Sequence, residues 1–235
     1  MNTHLYTRAA LGRLIDHTLL NPVATVDHVN RLCDECVEHG FYAACVRPAW
    51  VRRCVERLRG TDTVVAAVVG LPCGGAPADS GAVEARAIIE SGAREIDLVV
   101  NLPALTAGDR AIVVGHISAV VDVVKQTDAD VLVKVILETA ALTDEQIILG
   151  CRCIAEAQAD FVKTSTGLHP AGGATVRHVA LLRKHIAPLK IKASGGIGDL
   201  PKALAMLEAG ADRLGTSYGV ALVESVPEEA EVSSP

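Results

Sequence analysis

The chain has 235 residues, 22 basic against 28 acidic side chains, a net charge of −6, and half of its residues are hydrophobic. It shows no basic patch and no aromatic residues interleaved with basic ones, so nucleic acid is not an expected partner. No apolar run reaches the ~18 residues of a membrane span, and the N-terminal stretch MNTHLYTRAALGRL lacks the apolar core of an export signal. The seven cysteines are scattered and odd in number. We therefore expect a cytoplasmic protein with reduced thiols that does not associate with membranes.

Eight short apolar runs, rich in β-branched residues, predict strands along the chain. In order they are LIDHTLL (14–20), FYAACV (41–46), TVVAAVVG (63–70), REIDLVV (94–100), VLVKVILE (131–138), DFVKTS (160–165), LKIKAS (189–194) and DRLGTS (212–217). Each is short and bounded by turn residues, as strands are.

Helical periodicity fills the segments between these strands. It is clearest in VDHVNRLCDECVEHG, SGAVEARAIIESG, ALTDEQIILGCRCIAEAQ and DLPKALAMLEAG. Thr25, Thr143 and Asp199 are candidate N-caps, and Gln146, three residues after Thr143, completes a capping-box pattern. Helix ends are predicted at three glycines, Gly40, Gly92 and Gly210.

Strands that alternate with helices predict a parallel sheet, and near-continuous apolar strands predict that both faces of the sheet are covered. Eight such units fit an α/β fold of the closed (β/α)8 TIM barrel type, which typically needs ~250 residues. We predict one barrel over residues 1–226 and a disordered acidic tail, PEEAEVSSP, over 227–235. A doubly wound open sheet is the alternative, but LIDHTLLNP lacks the glycines that a dinucleotide-binding turn needs.

Charged residues inside the apolar strands are the strongest functional signal. Asp97, Lys134, Lys163 and Lys192 occur one each in strands four to seven, and Asp16 lies in strand one. Consecutive strands of a barrel are neighbours, and their C-terminal ends carry the active sites of barrel enzymes. Because unpaired buried charges are costly, a purely structural role for the whole set is disfavoured.

The set holds more lysines than carboxylates, and this excess suggests nucleophilic catalysis. A lysine close to another cation in a partly apolar pocket loses its proton more readily. The neutral amine can attack a carbonyl group and form a Schiff base. Lys163 and Lys192 lie on neighbouring strands, so one can tune the other. Spacing alone does not decide which of the two is the nucleophile.

Glycine-rich turns after the last strands predict a phosphate site. KASGGIGDL follows strand seven, LGTSYG follows strand eight, and STGLHPAGGAT after strand six could join them. Barrel enzymes frequently bind phosphate with the loops after strands seven and eight, where backbone N–H groups and a helix N-terminus face the anion.

Six of these segments, IDHTLL, ACVRPAWV, EIDLVVN, VKVILET, DFVKTSTG and IKASGGI, together resemble the deoxyribose-phosphate aldolase family in the same order, from about residue 13 to residue 222. The resemblance implies a class I aldolase on a (β/α)8 barrel that needs no metal or other cofactor. Its reaction would convert 2-deoxy-D-ribose 5-phosphate reversibly into acetaldehyde and D-glyceraldehyde 3-phosphate, in the breakdown of deoxyribonucleotides.

The resemblance also implies residue roles. Lys163 matches the Schiff-base lysine, and Lys192 matches the second lysine, which lowers the pKa of the first. Asp97 matches the acid/base carboxylate that works through a water molecule, and Lys134 matches a lysine that supports this network.

Around the substrate the resemblance implies two further groups. Asp16 and Thr18 match residues near the hydroxyl end of the substrate. The phosphate-binding turns match Gly167, Gly195, Gly196, Gly215 and Ser217.

The chain departs from the family pattern at four places. In VVGLPCG (69–75), Leu71 and Cys73 stand where the family usually reads FPLG, a change of packing that does not touch the chemistry. Tyr218 stands where a small residue is usual, and Leu168 stands where some members have a phosphate-binding lysine. Some members end in a tyrosine that assists proton transfer, whereas this tail ends in VSSP. The last three departures imply altered phosphate affinity and a proton transfer that uses water or is slower.

Other motifs and other functions remain open at this stage. Cys33-x-x-Cys36 is interpreted as packed thiols, and Cys45 either lines the pocket or packs in the core. His17 is expected to be structural and His169 to lie on a solvated loop. The alternative functions are another Schiff-base sugar-phosphate lyase of the transaldolase type and a non-catalytic sugar-phosphate-binding barrel. A homodimer is compatible with apolar patches on the helices, although no residue pattern fixes it.

Overall fold

Eight parallel strands form a closed barrel in chain order, in a computed structural model that describes residues 6–227. The strands are β1 (Ile15–Leu19), β2 (Ala43–Val46), β3 (Val64–Val69), β4 (Glu95–Val99), β5 (Leu132–Ile136), β6 (Phe161–Lys163), β7 (Lys190–Ser194) and β8 (Arg213–Thr216). The barrel closes where β1 pairs with β8, with Asp16 beside Gly215. This architecture confirms the predicted TIM barrel and excludes the open sheet.

Helices follow each strand and cover the outside of the barrel. They are α1 (Arg8–Gly12), α2 (Val26–Glu38), α3 (Val51–Arg57), α4 (Ala78–Glu90), α5 (Leu102–Ala107), α6 (Arg110–Thr127), α7 (Asp144–Glu156), α8 (Val176–Ile186), α9 (Leu200–Glu208) and α10 (Gly219–Glu224). The four segments of clear periodicity became α2, α4, α7 and α9. Helix α1, which precedes the first strand, was not predicted. It lies against the end of the chain, where Arg8 Nε donates to the Val226 carbonyl at 3.0 Å.

The predicted helix boundaries are confirmed by their capping contacts. Thr143 Oγ1 accepts from the Gln146 backbone N–H, and the Gln146 side chain accepts from the Thr143 backbone N–H. The three predicted terminal glycines have positive φ angles, +62° at Gly40, +102° at Gly92 and +109° at Gly210. These positions suit glycine, because other residues reach a left-handed backbone only at a cost.

The main hydrophobic core lies between the strands and the helices, and it consists mostly of Val, Ile, Leu and Ala. Inside the barrel, a small apolar cluster from β2 and β3 includes Ala43, Cys45, Ala66 and Val68. The rest of the interior holds charged side chains from β1 and from β4 to β8. The interior is therefore apolar on one side and charged on the other, which sets the position of the site.

Two further sequence predictions concern the C-terminal tail and membrane association. Nearly all of the predicted tail (227–235) lies outside the described residues, as do residues 1–5. Among residues 6–227, none of the helices combines the length and the apolar character that crossing a membrane requires.

Candidate active site

Seven charged side chains meet inside the barrel, and none is more than 7% exposed. We call them the buried charge cluster: Asp16, Glu95, Asp97, Lys134, Lys163, Lys192 and Arg213. They come from six different strands, and all five charged residues singled out in the sequence are among them.

Asp97 lies at the centre of the cluster and contacts all three lysines. Its Oδ2 accepts hydrogen bonds from Lys163 Nζ and from Lys192 Nζ, each at 2.7 Å. Its Oδ1 accepts from Lys134 Nζ at 2.8 Å. Burial alone would raise the pKa of Asp97, but the three ammonium groups lower this pKa well below its usual range. Asp97 is therefore held as a carboxylate.

Two members of the cluster, Glu95 and Arg213, were missed in the sequence. Glu95 Oε2 lies 2.5 Å from Lys134 Nζ. Arg213 Nη1 donates to Asp16 Oδ1 at 2.8 Å, and its guanidinium lies 3.4 Å from the ring centroid of Tyr42. The sequence assigned one buried charge to β4, but the structure places two there. A signal was available, because Glu95 lies two residues before Asp97 and alternate strand residues share a face.

The three lysines are not equivalent. Lys192 contacts two carboxylates, Asp97 and Asp16, and the distance from its Nζ to Asp16 Oδ2 is 2.5 Å. Although burial would lower their pKa values, neighbouring carboxylates raise the pKa of Lys192 and of Lys134. Lys163 has one carboxylate partner, Asp97. Burial lowers the pKa of Lys163, and the positive charge of Lys192 lowers it further, against the opposing effect of Asp97.

Formal charges indicate that one of the three lysines is neutral. If Lys163 is neutral, three cations balance three carboxylates inside the barrel: Lys134, Lys192 and Arg213 against Asp16, Glu95 and Asp97. A balanced set costs less to bury than one with an uncompensated charge. Deprotonation of any one of the three lysines would leave the interior neutral, and Lys163 loses its proton most readily because its pKa is lowered and Asp97 is its carboxylate partner.

A cavity of about 340 Å³ opens at the C-terminal ends of β1, β6, β7 and β8. We call it the C-terminal cavity. Lys163 and Thr18 line it, and so do all five residues predicted to bind phosphate, Gly167, Gly195, Gly196, Gly215 and Ser217. Lys163 is the one charged residue among the described residues that line it, whereas Asp16, Asp97, Lys134 and Lys192 do not reach its wall.

Glycine is needed in these turns for two different structural reasons. Gly167, Gly195 and Gly196 have φ angles of +80°, +91° and +69°. Gly215 is different, because a Cβ at this position would lie 2.9 Å from both Lys192 Cε and Ser194 Cβ. The absent side chain of Gly215 therefore leaves room for Lys192, in addition to any role at the cavity wall.

A buried carboxylate that the sequence analysis missed supports the turn after β6. Glu138 has a left-handed backbone (φ +61°), and its Oε2 accepts from the Thr166 backbone N–H at 3.2 Å and from Thr166 Oγ1 at 2.5 Å. The next turn is joined to it, since Ser194 Oγ donates to the Ser165 carbonyl at 2.5 Å. These contacts fix the wall of the C-terminal cavity beside Lys163.

The remaining candidates are structural or peripheral. Cys45 is buried and does not line the cavity, and its Sγ lies 3.7 Å from Asp97 Oδ2. Cys33 and Cys36 are buried free thiols, and no group of three His, Cys, Asp or Glu side chains in residues 6–227 could hold a metal ion. His17 is buried, with Nε2 2.7 Å from Glu35 Oε2. Leu168 and Tyr218 line the cavity and are exposed.

Comparison with known proteins gives one consistent result. Residues 12–224 match the model of the family described as DeoC/LacD family aldolase. The deoxyribose-phosphate aldolase of Brevibacillus brevis is 48% identical over 214 residues, which cover 91% of this chain and 95% of that protein. That of Methanothermobacter thermautotrophicus is 48% identical over 219 residues, 93% of this chain and 96% of that protein.

A solved structure supports the same family assignment. The deoxyribose phosphate aldolase from Aeropyrum pernix superposes with a TM-score of 0.86 at 33% identity, covering 93% of this chain and 92% of that chain. The Aeropyrum pernix aldolase is described as tetrameric. With a family match over nearly the whole chain and relatives of this identity, the protein belongs to the DeoC/LacD aldolase family.

Proposed function

We propose that this protein is a class I aldolase that reversibly cleaves 2-deoxy-D-ribose 5-phosphate into acetaldehyde and D-glyceraldehyde 3-phosphate through a Schiff base on Lys163. The substrate is the one named for its relatives. The observation that carries the chemistry is the position of Lys163. It is the cavity-lining lysine of the buried charge cluster, and its pKa is lowered by burial and by Lys192.

The first step joins the substrate to the enzyme. The neutral amine of Lys163 attacks C1 of the open-chain sugar, and the carbonyl oxygen takes up a proton to give a carbinolamine. Loss of that oxygen as water leaves a protonated imine. Asp97 is within hydrogen-bond distance of the Lys163 and Lys192 amines, so we assign it to move protons between them and, through a water molecule, the substrate.

The second step breaks the C2–C3 bond. The C3 hydroxyl gives up its proton and becomes the aldehyde of glyceraldehyde 3-phosphate, while the bonding electrons move to C1–C2 and neutralise the imine as an enamine. A proton then adds to C2, and water releases acetaldehyde and regenerates Lys163. We assign Lys192 to keep a positive charge beside Lys163 and Lys134 to anchor Asp97. Asp16 and Thr18 are assigned to the hydroxyl end of the substrate.

The phosphate is assigned to the turns at Gly167, Gly195, Gly196, Gly215 and Ser217. All five residues line the same cavity as Lys163, and α9 begins at Leu200, four residues after Gly196. Backbone N–H groups at such a turn and the N-terminus of a helix favour an anion. Since the protonated imine serves as the electron sink, the reaction as proposed uses no metal and no cofactor.

We further propose that the protein works in the cytoplasm as a homodimer. All seven cysteines are free and six of them are buried, which suits a reducing compartment. The tetrameric relative supports self-association of some order. Light scattering of the full chain tests the assembly, and a mass of one or four chains would contradict the dimer.

Borohydride trapping tests the function. The protein is incubated with 2-deoxyribose 5-phosphate, reduced with sodium borohydride, and analysed by intact mass and peptide mapping. We expect a substrate adduct on Lys163 and release of acetaldehyde in the absence of reductant. Lys163→Met should lose both, and Lys184→Gln, which changes an exposed lysine of α8, should lose neither.

Other outcomes would assign a different function. An adduct on Lys192 would move the nucleophile to the neighbouring strand. An adduct with another sugar phosphate, but not with this one, would indicate a different Schiff-base lyase. Binding without any adduct or product would indicate a non-catalytic sugar-phosphate-binding barrel.

A further inference from the structure

The C-terminal cavity lacks an available cation for a doubly charged ligand. Lys163 is the one charged residue that lines it among residues 6–227, and this lysine contacts Asp97 and becomes an imine in the proposed reaction. A phosphate monoester carries a charge of about −1.5 to −2 at neutral pH. Backbone N–H groups and a helix N-terminus supply only partial positive charge, roughly half an elementary charge per helix.

Lys202 lies next to this cavity and has no assigned role. It is the third residue of α9, and its backbone N–H donates to the N-cap Asp199 at 2.8 Å. Its side chain extends back toward the glycine turn. Lys202 Nζ lies 3.4 Å from the position that a Cβ on Gly196 would occupy. Gly196 itself lines the C-terminal cavity. The ammonium group thus lies beside the glycine turn that lines the cavity.

The position of Lys202 is not explained by helix stability. A positive charge in the first turn opposes the helix dipole, and first-turn positions favour acidic residues. Among the described residues, no carboxylate oxygen lies within ion-pair distance of Lys202 Nζ. Its charge therefore has no ion-pair partner among residues 6–227, although its Nζ lies close to a turn that can bind an anion.

We propose that Lys202 binds the phosphate group of the substrate and sets the preference of this enzyme for phosphorylated over unphosphorylated sugars. Leu168, which lines the cavity after Gly167, carries no charge and cannot do so. Tyr218 lies beside the segment that follows Gly196, since its ring is 3.9 Å from the position that a Cβ on Gly198 would occupy. Lys202 does not itself line the cavity, so in this proposal its flexible side chain rotates toward the bound anion. The inference rests on the proposed function, because it needs a phosphorylated substrate.

The test compares Lys202→Gln, Lys202→Arg and the control Lys184→Gln with two substrates, 2-deoxyribose 5-phosphate and 2-deoxyribose. We expect Lys202→Gln to lower kcat/KM for the phosphorylated sugar by about tenfold to a hundredfold, as loss of a charge-assisted hydrogen bond does, mainly through KM. With 2-deoxyribose the same variant should change kcat/KM by less than twofold. Lys202→Arg should keep most of the preference for phosphate, and Lys184→Gln should behave like the wild type.

Inorganic phosphate provides a readout that does not require turnover. Calorimetry should show that Lys202→Gln weakens its binding by a factor similar to the loss in kcat/KM. Equal losses with both sugars, or unchanged phosphate affinity, would overturn the role of Lys202 and leave the proposed function intact. If the wild type does not cleave 2-deoxyribose 5-phosphate, the proposed function fails, and the phosphate titration alone then decides whether Lys202 binds this anion.

Discussion

Lys163 and Lys192 are register partners on β6 and β7, and both donate a hydrogen bond to the same oxygen, Oδ2 of Asp97, at 2.7 Å. Two ammonium groups that share one carboxylate oxygen repel each other, so the group that loses its proton first relieves this repulsion. Asp16 is a second carboxylate partner for Lys192, which leaves Lys163 as the more acidic of the two. This asymmetry underlies the first prediction.

Lys192→Met should raise the pKa of Lys163. The substitution removes a cation that lowers this pKa and leaves Asp97, which raises it, in place. A nearby charge typically shifts a pKa by about one to three units, so the acid limb of the kcat/KM profile should move to higher pH by that amount. Activity near neutral pH should fall steeply, because less Lys163 is neutral there.

The pH dependence of borohydride trapping checks this prediction even if turnover is lost. The trapping rate should rise with pH through a higher midpoint in Lys192→Met than in the wild type. Lys184→Gln serves as the control for loss of a lysine. An identical midpoint in the Lys192 variant and the wild type would refute the tuning role.

Asp97→Asn should separate imine formation from turnover. The amide keeps the shape of the side chain but cannot take up a proton, and a positioned acid–base group contributes typically ~10²- to 10⁴-fold in rate. Removal of the carboxylate also lowers the pKa of Lys163 further, since Asp97 raises it. We expect borohydride trapping of the imine to persist and to extend to lower pH, while kcat falls by ~10²- to 10⁴-fold. Equal loss of trapping and turnover would contradict the assignment.

Asp16 should make the fold sensitive to acid. Burial would raise the pKa of Asp16, but Lys192, Lys134 and Arg213 lower it from the ordinary 3.8 to about 2. A depressed folded-state pKa stabilises the protein above the unfolded-state value, and this stabilisation is lost as the pH falls through the folded-state value. We expect the free energy of unfolding to drop by roughly 2 kcal/mol between about pH 4 and pH 2 from this group.

Denaturant titrations at pH 5, 4, 3 and 2 measure this loss. In Asp16→Asn the decline over the same window should be shallower, although the variant starts about 3–5 kcal/mol less stable because buried cations lose their partner. Parallel declines in variant and wild type would show that other groups cause the acid sensitivity.

Gly215→Ala, on β8, should displace Lys192 and so disturb the buried charge cluster. The new methyl group would lie 2.9 Å from Lys192 Cε and Ser194 Cβ, which is closer than carbon atoms approach. Overpacking of this kind costs about 1–3 kcal/mol, and a displaced Lys192 should lower kcat. The matched control is Gly115→Ala in α6, where a Cβ meets no atom within 4 Å.

In the Gly115 control, replacement of a helical glycine should stabilise the protein by about 0.5–1 kcal/mol without loss of activity. Thermal unfolding and steady-state kinetics on both variants give the comparison. A Gly215→Ala variant with wild-type kcat and stability would show that β8 can move away from Lys192.

The sequence alone determined the barrel and five of the seven charges inside it. Eight apolar runs gave eight strands because a parallel strand covered on both faces needs apolar residues along its length, and that pattern is local. Lys163, Lys192 and Asp97 were recognisable because a charge inside such a run is costly and seldom accidental. Capping at Thr143 was likewise visible, since Gln146 lies within one helical turn.

Only the tertiary structure decided which lysine has the lowered pKa and which residues cause it. The preference for Lys163 arises because Asp16, from the other end of the chain, contacts Lys192, and this contact exists only when β1 closes against β8. Glu95 and Arg213 were not singled out in the sequence, and only the closed barrel brings Arg213 Nη1 to 3.6 Å from Glu95 Oε2. Lys202 likewise came to lie near Gly196 only through the packing of α9, the helix that follows β7. Local patterns fix which residues enter a strand or a helix, whereas the energy of a buried charge depends on neighbours that are distant in sequence.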